Sequence, residues 1–215
     1  MAAVRCETVR VTHIVTNHPD EWDARYSSAA RVWSGDPNGA LVAEVAALPA
    51  GTVLDVGCGE GADAVWLASR GWTVTAIDVS AVALDRAARH AHDAGVDVTW
   101  VRTGLVEADL PAGGFDLVSA QYPALLRTPG ADAERALLGA VAVGGQLLVV
   151  HHEVTADEAH AHGFDPLAFV MPADVAALLD DDWEVLVDER RDRTIAGGAG
   201  AHHAHDLVLR ARRLR

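Results

Sequence analysis

Apolar residues in this chain gather in short blocks, and between the blocks they recur at helical spacing. The blocks predict strands over residues 52–56, 73–77, 96–102, 115–120, 145–151, 183–189 and 206–211. The spacing between them predicts helices over 62–69, 82–94, 131–142 and 173–179. Strands that alternate with helices build a parallel sheet covered on both faces, because each crossover helix buries its apolar stripe against the sheet. The last two strands have no helix between them and are expected to pair antiparallel. Residues 1–50 carry two helical patterns with Trp22, Tyr26 and Trp33, and read as a lid on a sheet core spanning 51–215. At 215 residues the chain fits one α/β domain of 1–215, with no repeat or linker to divide it.

Composition matters here for what it excludes. Half of the residues are hydrophobic, yet no run approaches the roughly 20 apolar residues of a membrane span. The start, "MAAVRCETVR", lacks the apolar core of a secretory signal. A net charge of −14 opposes nucleic acid or an anionic membrane as partner, since both require basic surface. Cys6 and Cys58 are the only cysteines, so no disulfide framework is expected and a reducing cytoplasmic setting is.

The candidate chemistry sits in "VLDVGCGEGADAVWLASRG", residues 53–71. Gly57, Gly59 and Gly61 separate a strand from a helix, with Cys58 filling space inside the turn. A strand, a glycine turn and a helix N-terminus present backbone N–H groups and a positive dipole end to a ligand. That pattern also fits the relaxed dinucleotide fingerprint, and three further features separate the readings. Asp55 stands two residues before Gly57, where a carboxylate can meet an ammonium group. Asp78, followed by Val79, ends the next strand about 20 residues on, where it can accept from ribose hydroxyls. Gln121 and Tyr122 close the fourth strand beside the same crevice. Asp78 suits either a nicotinamide dinucleotide or an S-adenosyl ligand, whereas Asp55 and the final strand pair favour the latter. A nicotinamide-dependent oxidoreductase would also have only about 95 residues after Gln121 for a substrate domain. A ligand- or metal-binding module on the same fold is the non-enzyme alternative.

On these residues the chain resembles the class I S-adenosylmethionine-dependent methyltransferases: "LDVGCGEG" is similar to the family's first motif, "AIDVS" to its second and "FDLVSAQY" to its substrate-side motif. The N-terminal "EWDARYSSAARVWSGDPN" before "LPAGTVLDVGCGEG" resembles the small-molecule branch related to thiopurine, thiol and tellurite-resistance methyltransferases. The resemblance implies a Rossmann-like seven-stranded sheet of order 3-2-1-4-5-7-6 with strand seven antiparallel. It implies methyl transfer from S-adenosylmethionine to a small-molecule acceptor. Asp55 and the backbone around Gly57 would hold the methionine portion, and Asp78 the ribose. Many relatives carry an acid after strand three for the adenine amino group. This chain has Thr103 and Gly104 there, which leaves adenine to backbone groups near Gly104 and Leu105. Trp22, Arg25, Tyr26 and Trp33 in the lid are candidates to stack on the sulfonium or the adenine, or else simply close the sheet edge.

The histidines pose a separate question. His151, His152, His160 and His162 form one group and His202, His203 and His205 another. If the last strand runs antiparallel beside strand five, His151 or His152 approaches His203 or His205 on the ligand side of the sheet. The readings are surface loop histidines, a proton acceptor or substrate contact, or a bound transition metal at His151, His152, His203 and His205. Tyr122, His151 and His152 close strands four and five and are the candidates for taking a proton from an acceptor that arrives protonated. A thiolate acceptor needs no such base.

Overall fold

The computed structural model describes residues 18–153, 168–193 and 203–215. Its strands are β1 (Thr52–Val56), β2 (Thr73–Asp78), β3 (Thr99–Arg102), β4 (Phe115–Gln121), β5 (Val141–His152), β6 (Trp183–Asp192) and β7 (His205–Arg213). The helices are α1 (Pro19–Ser27), α2 (Gly39–Val45), α3 (Ala62–Ser69), α4 (Ala81–Ala94), α5 (Asp132–Ala140) and α6 (Pro172–Ala176). The strands form one sheet in the order β3-β2-β1-β4-β5-β7-β6. β1 pairs in parallel with β2 and β4, whereas β7 runs antiparallel between β5 and β6. This is the order and direction that the motif resemblance implied.

The sheet separates two apolar clusters, and successive residues of one strand feed opposite ones. Val53 joins Leu67, Val74, Leu117 and Val208, while Leu54 joins Ile77, Val118, Leu147 and Leu209. Strands buried on both faces read as unbroken apolar runs, which is why the central strands were conspicuous in the sequence. α4 needs help at both ends. The Ser80 hydroxyl accepts from the Ala83 N–H at its start, and Gly95 at φ 67° closes it.

Several boundaries moved. The helix expected over 131–142 stops at Ala140, because Val141 is fully buried and pairs with Phe115 as the first residue of β5. A register shift between Phe115 and Leu117, with Gly144 at φ 83°, interrupts that strand and hid its continuity. The strand expected from 96 begins at Thr99, since the Val96 N–H donates to the Ala91 carbonyl at 3.0 Å and belongs to the end of α4. The helix expected over 173–179 is α6. Beyond it the Leu178 and Leu179 N–H groups bond three residues back, at 3.0 and 3.2 Å, in a tighter turn.

β1, β2, β4 and β5 are parallel, so their carboxyl ends share one edge of the sheet, and the strand order reverses between β1 and β4. Open α/β sheets bind ligands at such a switch point. The segment from residue 18 to 50 is fastened over this edge by carboxylates. Asp23 accepts from the Ser80 hydroxyl at 2.5 Å and the Val82 N–H at 3.1 Å. Glu60 accepts from the Val32 and Trp33 N–H groups at 3.1 and 3.0 Å and pairs with Arg86 at 2.8 Å. Asp63 accepts from the backbone N–H and the side-chain amide of Asn38, both at 2.7 Å. Helices as short as α1 and α2 are marginal alone, and these bonds together with the buried Tyr26, Leu41 and Val45 hold them in place.

Candidate functional site

At the end of β1 the chain must leave the sheet, pass under the ligand crevice and enter α3. Gly57, Gly59 and Gly61 do this at φ 70°, 53° and 82°, the left-handed region that side chains disfavour. The Gly57 and Cys58 N–H groups donate to the Ile77 carbonyl at 2.9 and 3.0 Å, which stitches the turn to β2. The Gly59 N–H donates to Asp78 Oδ2 at 2.9 Å, and the Ser80 N–H to Asp78 Oδ1 at 2.9 Å. Each Asp78 oxygen keeps a second lone pair, and Asp78 lines the cavity above the turn.

Asp55 is 2% exposed, faces the same cavity, and its Oδ2 has no hydrogen-bond partner. Burial pushes its carboxyl well above the ordinary range, and the neighbouring Asp63 and Asp78 push it further. Burial likewise raises Asp63 and Asp78, although each accepts backbone hydrogen bonds that oppose the rise. The floor of the cavity is therefore a set of carboxyl groups short of a cation. The Cys58 thiol is pushed up as well, by burial and then by Asp55 and Asp78, so it stays protonated and inert.

The cavity holds about 1550 Å³. Pockets for single drug-sized ligands run to about 1,000 Å³, so this one has room for two small molecules side by side. Of the residues anticipated from sequence, Asp55, Gly57, Cys58, Gly59, Asp78, Val79, Gly104, Leu105 and Gln121 line it, as do Trp22, Arg25 and Trp33 of the lid. The Arg25 guanidinium lies between the two tryptophans, 5.4 Å from the Trp22 ring centroid and 5.2 Å from that of Trp33. Gly61 requires a correction. It does not line the cavity, and a Cβ there would lie 2.7 Å from Ala87 Cβ and 3.0 Å from Trp100, so this glycine serves the packing of α3 on α4.

Tyr26, one of the aromatics anticipated in the N-terminal segment, also lines the cavity, whereas Glu107 escaped the sequence reading. Tyr26 accepts a hydrogen bond from Trp33 Nε1 at 3.0 Å, and its hydroxyl sits 2.9 Å from where a Gly59 Cβ would be. The N-terminal segment thus presses on the glycine turn itself. Glu107 was missed because it stands three residues past Gly104. A Cβ on Gly104 would overlap the Glu107 carboxylate, so the bare backbone is what lets an acid reach this wall of the cavity.

The opposite end of the cavity is aromatic. Tyr122, at φ 52°, turns its ring across the end of β4 to stack on His152, with centroids 4.1 Å apart and planes 22° apart. His152 stacks in turn on His203 at 4.1 Å and 18°. Arg193 lies over the other face of Tyr122, 4.9 Å from its centroid. Behind the stack is Asp206, 5% exposed, which accepts from the Tyr122 hydroxyl at 2.9 Å. Burial, Asp206 and its hydrogen bond raise the Tyr122 phenol, so this side chain keeps its proton. Burial depresses His151, and it depresses His152 to about 4. Both are neutral imidazoles at neutral pH.

The expected meeting of the two histidine groups occurs at His152 and His203, but not at His205. His205 lies outside the cavity lining, 3.3 Å from Glu153 and 3.4 Å from Asp192. Stacked rings present faces rather than nitrogens to one another, and among the described residues no group of three or more His, Cys, Asp or Glu side chains is arranged to hold a metal. Cys6, His160, His162 and His202 lie outside the described residues. Among the described residues no helix is long and apolar enough to cross a membrane.

Residues 53–143 match the family described as a methyltransferase domain. An uncharacterized methyltransferase of Mycobacterium bovis is 39% identical over 107 residues, which cover 49% of this chain and 53% of that protein. The chain thus spans about half the length of the curated relatives it matches. Among solved structures, one described under the conversion of a disulfide bond into a thioacetal group during echinomycin biosynthesis superposes with a TM-score of 0.72 at 22% identity, covering 91% of this chain and 92% of the other. The 1,6-didemethyltoxoflavin-N1-methyltransferase of Burkholderia thailandensis, solved with its acceptor and S-adenosylhomocysteine bound, superposes with a TM-score of 0.64 at 20% identity, covering 92% and 87%. The chain shares the fold of these structures, and residues 53–143, from β1 into the start of β5, carry the match to a methyltransferase domain.

Proposed function

We propose, from the methyltransferase domain and class I fold of this chain, that the protein transfers a methyl group from S-adenosylmethionine to a small-molecule acceptor. The observation that carries this reading is Asp55, a buried carboxyl at the strand end with an oxygen that lacks any partner and faces the cavity. An ammonium group satisfies that oxygen and discharges the carboxyl, as the amino-acid end of the donor would. Asp78 accepts from the ribose hydroxyls with its remaining lone pairs, and Glu107 reaches the adenine amino group past the bare Gly104. Gly57 leaves the donor room: the nearest atom to a Cβ there is Pro123 Cα at 4.0 Å. When bound, the donor supplies an electrophilic methyl on a sulfonium that is already a good leaving group. The protein's part is chiefly geometric, holding the nucleophile in line at about 3 to 3.5 Å and keeping water out.

A small acceptor follows from the cavity and the charge. The volume left beside a donor suits a compact molecule, and the wall of Tyr122, His152 and Phe169 is aromatic. A chain of charge −14 repels phosphate backbones.

Calorimetric titration with S-adenosylmethionine, S-adenosylhomocysteine and NAD tests the reading. Binding of the first two and not the third is expected, whereas NAD binding would return the protein to the oxidoreductases. In the same titration Asp78→Ala is expected to weaken donor binding by about 1.5–3 kcal/mol, the worth of hydrogen bonds to a charged group. A change below a few tenths of that, in a variant of native stability, would place the ribose elsewhere.

A further inference from the structure

Resting on that reading, we infer that His152, held by Asp206, is the base that removes the acceptor's proton, and that the acceptor therefore carries an O–H or N–H nucleophile rather than a thiolate. His152 Nδ1 lies 3.5 Å from Asp206 Oδ1, and both atoms are shut off from solvent without a hydrogen-bond partner of their own. A carboxylate only accepts, so the arrangement that serves both atoms has the ring proton on Nδ1. Catalytic hydrogen bonds are often this long before ligands bind and shorten afterwards. Arg193 Nε also lies 3.5 Å from Oδ1, and one oxygen has lone pairs for both donors.

With Nδ1 turned to Asp206, Nε2 is the nitrogen His152 leaves to the cavity it lines, and it holds a lone pair. The ring cannot swivel to lose this setting, since Tyr122 and His203 clamp its two faces. His151 is the rival. Its Nδ1 lies 3.3 Å from the His152 carbonyl, which fixes the same tautomer, but a carbonyl offers a forming imidazolium only a dipole, where Asp206 offers His152 a charge. Tyr122 is no rival, because its proton is committed to the second oxygen of Asp206.

The groups facing His152 are Tyr122 from β4, His151 beside it on β5, Arg193 after β6, and His203 and Asp206 at the entry to β7. Burial, Arg193 and the two histidines hold it neutral while Asp206 opposes them, so its lone pair is available throughout the neutral range. A weak base suffices. As the acceptor oxygen, or a heteroaromatic or amide-type nitrogen, bonds to the methyl carbon and the carbon–sulfur bond breaks, the nucleophile's own proton becomes far more acidic than an imidazolium. The proton passes to Nε2, Asp206 balances the imidazolium, and water takes the proton after the methylated product leaves. A thiolate arrives without a proton and gives this pair nothing to do.

The test reads the ring directly. Nitrogen-15 NMR of histidine-labelled protein, free and with S-adenosylhomocysteine, is expected to show His152 protonated on Nδ1, with that preference lost in Asp206→Asn. An Nε2-protonated His152 overturns the inference. Turnover gives a second reading through two phenols of equal size, one ionised at the assay pH and one not. In His152→Gln the rate on the un-ionised phenol, relative to the ionised one, is expected to fall on the order of 100-fold, within the usual worth of a general base. An unchanged ratio, or methylation of thiols alone, overturns the inference while leaving methyl transfer intact. A protein that fails to bind S-adenosylmethionine overturns both.

Discussion

Asp55→Asn is expected to abolish donor binding at concentrations that saturate the native protein, and at pH 7 to raise the melting temperature of the unliganded chain. The two effects share one cause. Removing one partner of a buried charge pair costs about 2–5 kcal/mol, or about 30- to 5,000-fold in affinity, and Asp55 is the carboxyl placed to pair with the donor's ammonium. Without donor the same carboxyl is a burden, because burial and then Asp63 and Asp78 lift it well above the ordinary range. The folded chain therefore holds a proton that the unfolded chain releases near pH 3.9. This group's penalty is absent below that pH and grows as pH rises from there through the higher native value. Asparagine cannot ionise and escapes the penalty. Thermal melts with and without donor check both halves, and a variant with a lower melting temperature and an intact ligand-induced rise would refute them.

Gly61→Val is expected to damage the fold where Gly57→Val damages binding. At Gly61 a Cβ would meet Ala87 Cα at 3.1 Å as well as its Cβ, so the backbone of α4 must move. The residue also sits at φ 82°, where a non-glycine residue costs about 1–2 kcal/mol and a β-branched one more. Overpacking adds about 1–3 kcal/mol. The sum, roughly 2–5 kcal/mol, lowers the melting temperature of a chain this size by roughly 5–20 °C. At Gly57 the φ of 70° imposes comparable backbone strain, but the added side chain enters the cavity and meets no core atom. Gly57→Val is thus expected to lose donor affinity out of proportion to its loss of stability. Equal melting temperatures for Gly61→Val and native protein would show that α3 and α4 do not touch there.

What the sequence disclosed follows from how local the signal is. The glycine turn, Asp55 and Asp78 lie on consecutive elements joined by one short helix, and strand-end acids have few alternative places to go. The strand order came with the motifs. The acceptor end was legible only in part, because its parts meet through the sheet. Tyr122 and Asp206 are 84 positions apart and bond only because β7 enters beside β5. Of the two histidines offered at the start of the last strand, His203 meets His152, while His205 opens β7 opposite Asp192 and lies against Glu153 rather than in the cavity. Glu107 was overlooked because the strand-three acid was sought at the strand's end and not across the following turn.

The carboxylates of Glu60 and Asp63 have one more consequence. They belong to the donor turn and to the first turn of α3, yet they spend their hydrogen bonds on Val32, Trp33 and Asn38. A gene fusion that exchanged the first fifty residues for those of another enzyme, to broaden the acceptors accepted, would take Asn38 from Asp63, leave Glu60 with Arg86 alone, and strip Tyr26 from the glycine turn. Acceptor range in this scaffold is therefore not a detachable module. Laboratory evolution of new acceptors will advance faster through the cavity wall that includes Phe169 than through the segment that covers it.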